Sequence, residues 1–222
     1  MKLAAVLAVA LCACSSAPAP FPGGSSPSDD AGPAPAADSG GTGSCSYPEG
    51  TTGTGAGQLV ESGFNWQGYA PNQTSPSTIS MADLFDCDGS KGINAIIFDV
   101  SATWCAACQS EAADLPKLFP TYDAMGIKHV TLMVQDTGNV PATLMTATTW
   151  KTTYGLTDVY VAADPNFSFQ PSGTSGSVSL PMTIVVDPRT MKIAKVGQGY
   201  VSAYPIQPDA TAVAIAKKNG AH

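Results

Sequence analysis

The chain predicts an α/β domain with a mixed central sheet flanked by helices. Three observations carry this. Apolar runs of strand length alternate with helix-length segments from residue 93 onward, and the last two strands are joined by a four-residue turn with no helix between them. Hydrophobic residues make up 44% of the 222 and charged residues 12%, which supports one packed core. The elements follow in order. Residues 93–101 form an apolar run that reads as a buried strand, and 105–125 read as helix, stopped by Gly126. Residues 128–135 are a strand. Residues 141–154 are helical, with Pro141 suited to the first turn and Gly155 following. Residues 159–162 are a short strand. Residues 182–187 and 192–197 pair through Asp187-Pro188-Arg189-Thr190, and 208–218 form a terminal helix. Ahead of the domain at 92–222, residues 45–91 read as an extended segment packed on it. Ser80 is placed to cap a helix of one or two turns over 79–85.

The first residues read as an export signal. Lys2 supplies a positive end, and residues 3–11 are apolar but short of the ~20 residues that span a bilayer. Leu11-Cys12-Ala13-Cys14 resembles a bacterial lipobox, with Leu at −3, Ala at −1 and Cys14 as the lipidated residue; Cys12 fits less well because Leu11 would occupy its −1 position. The division expected is a signal peptide at 1–13, a Pro/Gly/Ser-rich tether at 14–44 too poor in large apolar groups to fold, and then the domain. The plainer alternative is an ordinary cleaved signal peptide that contains cysteines. Two or more acyl chains hold a protein on a membrane stably. Ser15 stands where an Asp commonly retains lipoproteins in the inner membrane, which favours the outer one. The formal net charge of −7 disfavours nucleic acid as a partner.

With that leader removed, Cys45, Cys87, Cys105 and Cys108 remain, and four cysteines allow three pairings. Cys105-Ala106-Ala107-Cys108 directly follows the buried strand. The spacing fits a reversible disulfide, and by itself it also fits half of a zinc site. The thiolate is the nucleophile, and a helix N-terminus stabilises it with free N–H groups and the positive end of the helix dipole. Cys105 sits where that helix begins, and Cys108, one turn in, is placed to attack a mixed disulfide. The two alanines add no charge, so they set neither a reduction potential nor a direction of electron flow.

Asp99-Val100-Ser101-Ala102-Thr103-Trp104-Cys105-Ala106-Ala107-Cys108 resembles the active-site segment of the thioredoxin superfamily, with Trp104 before the first cysteine and Asp99 six residues before it. Glu111, three after Cys108, resembles the membrane-tethered, TlpA/ResA-like disulfide reductases. Leu180-Pro181-Met182-Thr183 resembles the family's cis-proline strand. The likeness spans roughly residues 79–216. It departs where the family has a proline five residues after the second cysteine: that position is Ala113, and Pro116 comes later.

The resemblance implies a thioredoxin-like fold and a thiol–disulfide oxidoreductase that reduces or exchanges disulfides in exported proteins. Cys105 would be the nucleophile and Cys108 the resolving thiol. Asp99 would move the proton, Pro181 would shape the substrate groove, and Trp104 would border it. Each has a bland counterpart: a hydrogen-bonded strand acid, a strand-start proline, a packing tryptophan. Glu111 reads as a solvated helix acid outside the catalytic set. Cys45 and Cys87 fall outside the motif, and a structural disulfide between them would tie the extension to the domain. No dissociable cofactor is implied; the redox group is the Cys105–Cys108 pair, and a membrane partner would supply electrons. No metal is expected, because His129 lies in a strand and His222 is the last residue, neither at ligand spacing. A Sco-type copper site needs Cys-x-x-x-Cys, and a peroxiredoxin frame needs a preceding proline, which is absent, and a threonine three residues before the cysteine, whereas Thr103 is two before Cys105. The competing reading is a non-catalytic surface module with permanently paired cysteines.

Overall fold

The computed structural model describes residues 45–171, 178–202 and 206–221. The signal peptide at 1–13, the lipidation site Cys14 and the tether at 14–44 lie outside the described residues. The sheet has seven strands: β1 (Asn65–Tyr69), β2 (Ser77–Ser80), β3 (Ala95–Ala102), β4 (Ile127–Gln135), β5 (Tyr160–Ala163), β6 (Met182–Asp187) and β7 (Lys192–Gln198). Their order is β2-β1-β5-β4-β3-β6-β7. β3, β4 and β5 are parallel, while β1 pairs antiparallel with β5 and β6 with β3. The helices are α1 (Met81–Leu84), α2 (Ala106–Asp114), α3 (Phe119–Ala124), α4 (Leu144–Tyr154) and α5 (Ala210–Lys218). No described helix is long and apolar enough to cross a membrane.

Every residue of β3 is buried, as a central strand with helices on both faces requires. Alternation then sorts its side chains. Phe98 joins an aromatic cluster with Phe169 (4.8 Å between centroids) and Trp66 (5.8 Å) on one face. Ile97, Asp99 and Ser101 point to the other face, where α5 packs on β3 and β6 and α3 on β4.

Three elements differ from the sequence reading. Residues 45–91, expected to lie on the domain, supply β1 and β2 to its sheet. Gly68 permits this, since a Cβ there would meet the Val161 carbonyl at 2.4 Å. The helix expected at 105–125 is broken: α2 ends at Asp114, a 3₁₀ turn spans Leu115–Lys117, and α3 begins at Phe119. Pro116 and Pro120 lack the N–H that a continuous helix needs and sit in first turns instead. Pro141 bridges to Gln135, and Thr143 caps α4 through a reciprocal box with Thr146. Ser80 caps α1 in the same way with Asp83.

The N-terminal segment is held covalently and by charge. Cys45 and Cys87 form a disulfide. From the β6–β7 turn, Arg189 reaches the fully buried Asp86 at 3.1 Å and also donates to the Ile93 carbonyl and the Asn94 side chain.

Candidate active site

The site is built where β3 runs into α2. After Ala102 the chain turns tightly, with the Cys105 N–H donating to the Ala102 carbonyl at 3.2 Å. Cys105 is the N-cap of α2: its Sγ accepts from the Cys108 N–H at 3.1 Å. This is the geometry that places a helix terminus behind a sulfur and stabilises its anionic form. Cys105 and Cys108 are joined as a disulfide, with Cys108 fully buried and Cys105 6% exposed. Trp104 is half exposed beside them and donates from Nε1 to Gln135. The Leu180–Pro181 peptide bond, which leads into β6, is cis.

The turn is braced by Asp136, at the end of β4, which the sequence reading did not single out. It accepts from Thr103 Oγ1 at 3.2 Å, from the Thr137 N–H and from Thr146 Oγ1. These bonds, that from Thr146 foremost, hold its carboxyl below the ordinary range. Asp136 thereby joins the cysteine turn to the start of α4.

Beneath the cysteines lies a pair of acids. Asp99 is 2% exposed in the middle of β3 and accepts from Ser101 Oγ at 3.1 and 3.2 Å. Its register neighbours are Thr131 and Thr183. Glu111 comes down from α2 into hydrogen-bonding reach of Asp99. Glu111 is therefore not a solvated helix acid. Cys108, Glu111, Ala112 and Leu115 recur at three- and four-residue spacing on the face of α2 that meets the sheet, and that periodicity was the available signal. Burial drives both carboxyls well above their ordinary range, and for Glu111 the nearby Asp99 adds to it. Two carboxylates this close cannot both be charged, so the pair retains a proton near neutral pH. One Glu111 oxygen, Oε2, is buried with no hydrogen-bond partner, as is Thr131 Oγ1.

His129, read as a satisfied strand residue, is buried as a strand residue is, yet its Nδ1 has no partner. Burial pushes its pKa down to about 3, so it is neutral. It stacks near Tyr122, 6.2 Å between centroids. Among the described residues, the grouping of His, Cys, Asp and Glu compact enough for a metal is Cys45, Cys87 and Asp88, and its two sulfurs are bonded to each other.

The structure thus brings Cys105, Cys108, Asp99 and Trp104 to one junction and adds Glu111 and Asp136 to it. Cys45 and Cys87 stand apart, on the N-terminal segment. No protein-family model matches the chain, and no curated protein does. Solved structures do. The chain is similar to a secreted thiol-disulfide isomerase from Corynebacterium glutamicum at 22% identity, over 72% of this chain and 86% of that one, with a TM-score of 0.50. It is also similar to the reduced 2-Cys peroxiredoxin of Plasmodium vivax at 14% identity, over 73% and 80% of the two chains, with a TM-score of 0.52. Two proteins described by different chemistries thus share this architecture, and the architecture alone does not select a reaction. The chain has a thioredoxin-like fold, with a mixed seven-stranded sheet between layers of helices.

Proposed function

We propose that the protein is an exported thiol–disulfide oxidoreductase acting on disulfides or dithiols of other proteins. The observation that carries this reading is the cysteine pair itself, joined across the first turn of α2 with a backbone N–H on the Cys105 sulfur. In the reducing direction the dithiol form acts. The Cys105 thiolate attacks a substrate disulfide, forming a mixed disulfide and releasing one substrate thiol. Cys108 then loses its proton and attacks the Cys105 sulfur, which closes the internal disulfide and releases the second thiol. Two electrons pass to the substrate, and a dithiol partner must return them. Cys108 lies one turn from Glu111 on the same helix face, and the Asp99–Glu111 pair would take its proton. An acid whose pKa is raised toward neutrality suits that transfer. Trp104 and the Pro181 edge would flank the incoming substrate.

Residues 1–14 support export and attachment through lipid at Cys14, with residues 14–44 as the spacer. Cys14→Ser releases the protein into detergent-free buffer if the anchor is lipid. The activity is tested by equilibrating the Cys105–Cys108 pair with glutathione and by following reduction of insulin disulfides with dithiothreitol as donor. Turnover by the wild type, none by Cys105→Ser, and accumulation of a mixed disulfide in Cys108→Ser are expected. A pair that resists reduction and gives no turnover rejects the enzyme and supports the binding module.

A further inference from the structure

Charge is distributed unevenly between the two ends of the sheet. The parallel strands β3, β4 and β5 finish at the cysteine end, where α2 begins, β6 starts and β7 ends. The chain brings residues 101–110, 135–145, 164–171, 178–181 and 198–202 to that end. These residues include no Lys, Arg or His, and 172–177 and 203–205 contain no charged residue in the sequence either. The acids among them are Asp136 and Asp164. Asp164 is 1% exposed, accepts from the Ser168 N–H at 2.7 Å and from Ser168 Oγ at 2.9 Å, and has its pKa raised by burial. Asp136 is only half-buried. Its carboxylate takes three neutral donors, from Thr103, Thr137 and Thr146, which keep it ionised at neutral pH. Among the described residues no cation pairs with it.

The cations gather at the other end. Lys91 precedes β3, Lys128 is the second residue of β4, Arg189 and Lys192 belong to the β6–β7 turn and its exit, and Lys217 and Lys218 close α5. A polypeptide that meets the disulfide therefore meets one solvated negative charge and no positive one. Asp136 Oδ1 lies 3.2 Å from Thr103 Oγ1, and Thr103 is two residues from Cys105. With consecutive Cα atoms about 3.8 Å apart, a side chain beside a substrate cysteine joined to Cys105 comes within roughly 8 Å of Asp136. At that separation Coulomb's law gives a factor per unit charge of about two in bulk water and about thirty at the effective permittivity of a protein surface. The rest of the rim is apolar. Trp104, Val140 and Met145 are 49%, 53% and 71% exposed, on the segments that Asp136 ties together.

We propose that this face selects polypeptide segments that carry Lys or Arg beside the disulfide, and disfavours acidic disulfides such as oxidised glutathione, with Asp136 as the residue that sets the preference. Charge complementarity of this kind acts on encounter rate and on the choice of partner more than on affinity. The proposal rests on the Cys105–Cys108 pair being redox-active and keeps its chemistry as given. Cys105 attacks the substrate disulfide, Cys108 resolves the mixed disulfide, both substrate thiols leave, and two electrons pass to the substrate.

The test is a single turnover of the reduced full-length protein with three short peptides. Each is closed by one disulfide, and they are identical except for Lys, Gln or Glu beside both cysteines. Samples are acid-quenched and the freed peptide thiols counted, with Cys105→Ser as background. The Lys-to-Glu rate ratio is divided by the same ratio for 2-mercaptoethanol in the same salt, which carries the effect of the flanking charge on the peptide itself. A change in overall rate cancels in this quotient, so a merely loosened cysteine turn does not move it. The wild type is expected to give at least fivefold in about 0.02 M salt and less than twofold in about 0.5 M, as the Debye length falls from about 20 Å to under about 5 Å. Asp136→Asn keeps an oxygen to accept from Thr103 and removes the charge, whereas Val140→Lys adds a cation at an exposed rim position. Each is expected to lower the quotient at least threefold at low salt. A wild-type quotient near one, or an unaltered quotient in either variant, overturns the proposal. Should Asp136→Asn not fold, the Val140 variant decides. Exchange with all three peptides at charge-independent rates overturns this proposal alone. No exchange with any of them overturns the functional reading and this proposal with it.

Discussion

Replacing Glu111 by Gln should stabilise the protein more and more as pH rises. In the native state burial and the adjacent Asp99 keep the Glu111 proton bound far above the ordinary value near 4.5. The unfolded chain releases that proton above about pH 4.5. A native state that binds more protons than the unfolded one loses stability with rising pH. The Glu111 contribution is therefore fully present below pH 4.5 and declines as pH climbs toward the native pKa. Each pH unit corresponds to about 1.4 kcal/mol for one proton. Over the three units from pH 5 to 8 the wild type loses about 4 kcal/mol through this group, an upper figure because relaxation around the charge shortens the window. Gln does not titrate, matches the shape of the protonated acid, and still offers Asp99 a donor. The two proteins should differ by less than about 1 kcal/mol at pH 5, in the range of an ordinary substitution. By pH 8 the variant should lead by a gap approaching about 4 kcal/mol. Urea denaturation under non-reducing conditions at unit pH steps reads this directly. A gap that stays constant with pH, or one that narrows, would show that Glu111 is not held protonated and would refute the reasoning.

Further outcomes follow from other buried groups. His129 titrates with the opposite sign: its native pKa is depressed to about 3, so its contribution is complete above pH 6.5 and is lost as pH falls. His129→Gln should flatten the acid limb of the wild-type stability profile by about 1.4 kcal/mol per pH unit below 6.5, measured in the same titrations. Removing the Cys45–Cys87 disulfide with a double Ala substitution opens a loop with a sequence separation of 42. The chain-entropy relation puts the loss at about 4 kcal/mol, read as a lower denaturation midpoint, with the reduction rate of Cys105–Cys108 unchanged. Arg189→Met leaves the fully buried Asp86 carboxylate without its ion pair, which should cost about 3 kcal/mol and expose the N-terminal segment to limited proteolysis.

The alternation of strands and helices was legible because each buried strand centres on a short apolar run, even where a polar residue such as Asp99 or Thr183 interrupts it; β6 spans the expected residues, Met182–Asp187. What was not legible came from long-range pairing. β1 is short and contains Gly68, so nothing local marks it as a strand; its identity comes from β5, which lies some 95 residues on in the chain and accepts its edge. Pro116 was noted as the proline nearest the expected kink, but Pro120 was not, and the two together divide the helix. Cys105 and Cys108 were legible because their chemistry and spacing are local. Glu111 was misread because a lone acid on a helix is usually solvated, and only the register of α2 over β3 shows that it meets Asp99. Asp136 was missed for the same reason: its partners Thr103 and Thr146 belong to different elements.

The residues that local rules misjudge on the α2 face of the sheet also share a physical character. Glu111 and His129 each bury a polar atom with no partner, and Thr131 Oγ1 does so beside Asp99. Glu111 and His129 border a cavity of about 380 Å³ with room for water, and taking a carboxyl and an imidazole out of bulk water is a cost that apolar packing does not carry. Their cost falls on one side of the sheet. The opposite face, around Phe98, Phe169 and Trp66, is packed aromatically, with the Trp66 Nε1 satisfied by Ser168. The aromatic face, the Cys45–Cys87 link and the Arg189 cluster supply stability that the acid side lacks. Such a division lets the Asp99–Glu111 pair keep a proton away from bulk water without unfolding the domain. Both acids are carried by regular elements, Asp99 by the buried strand β3 and Glu111 by the capped helix α2, which hold side chains in place more closely than loops do.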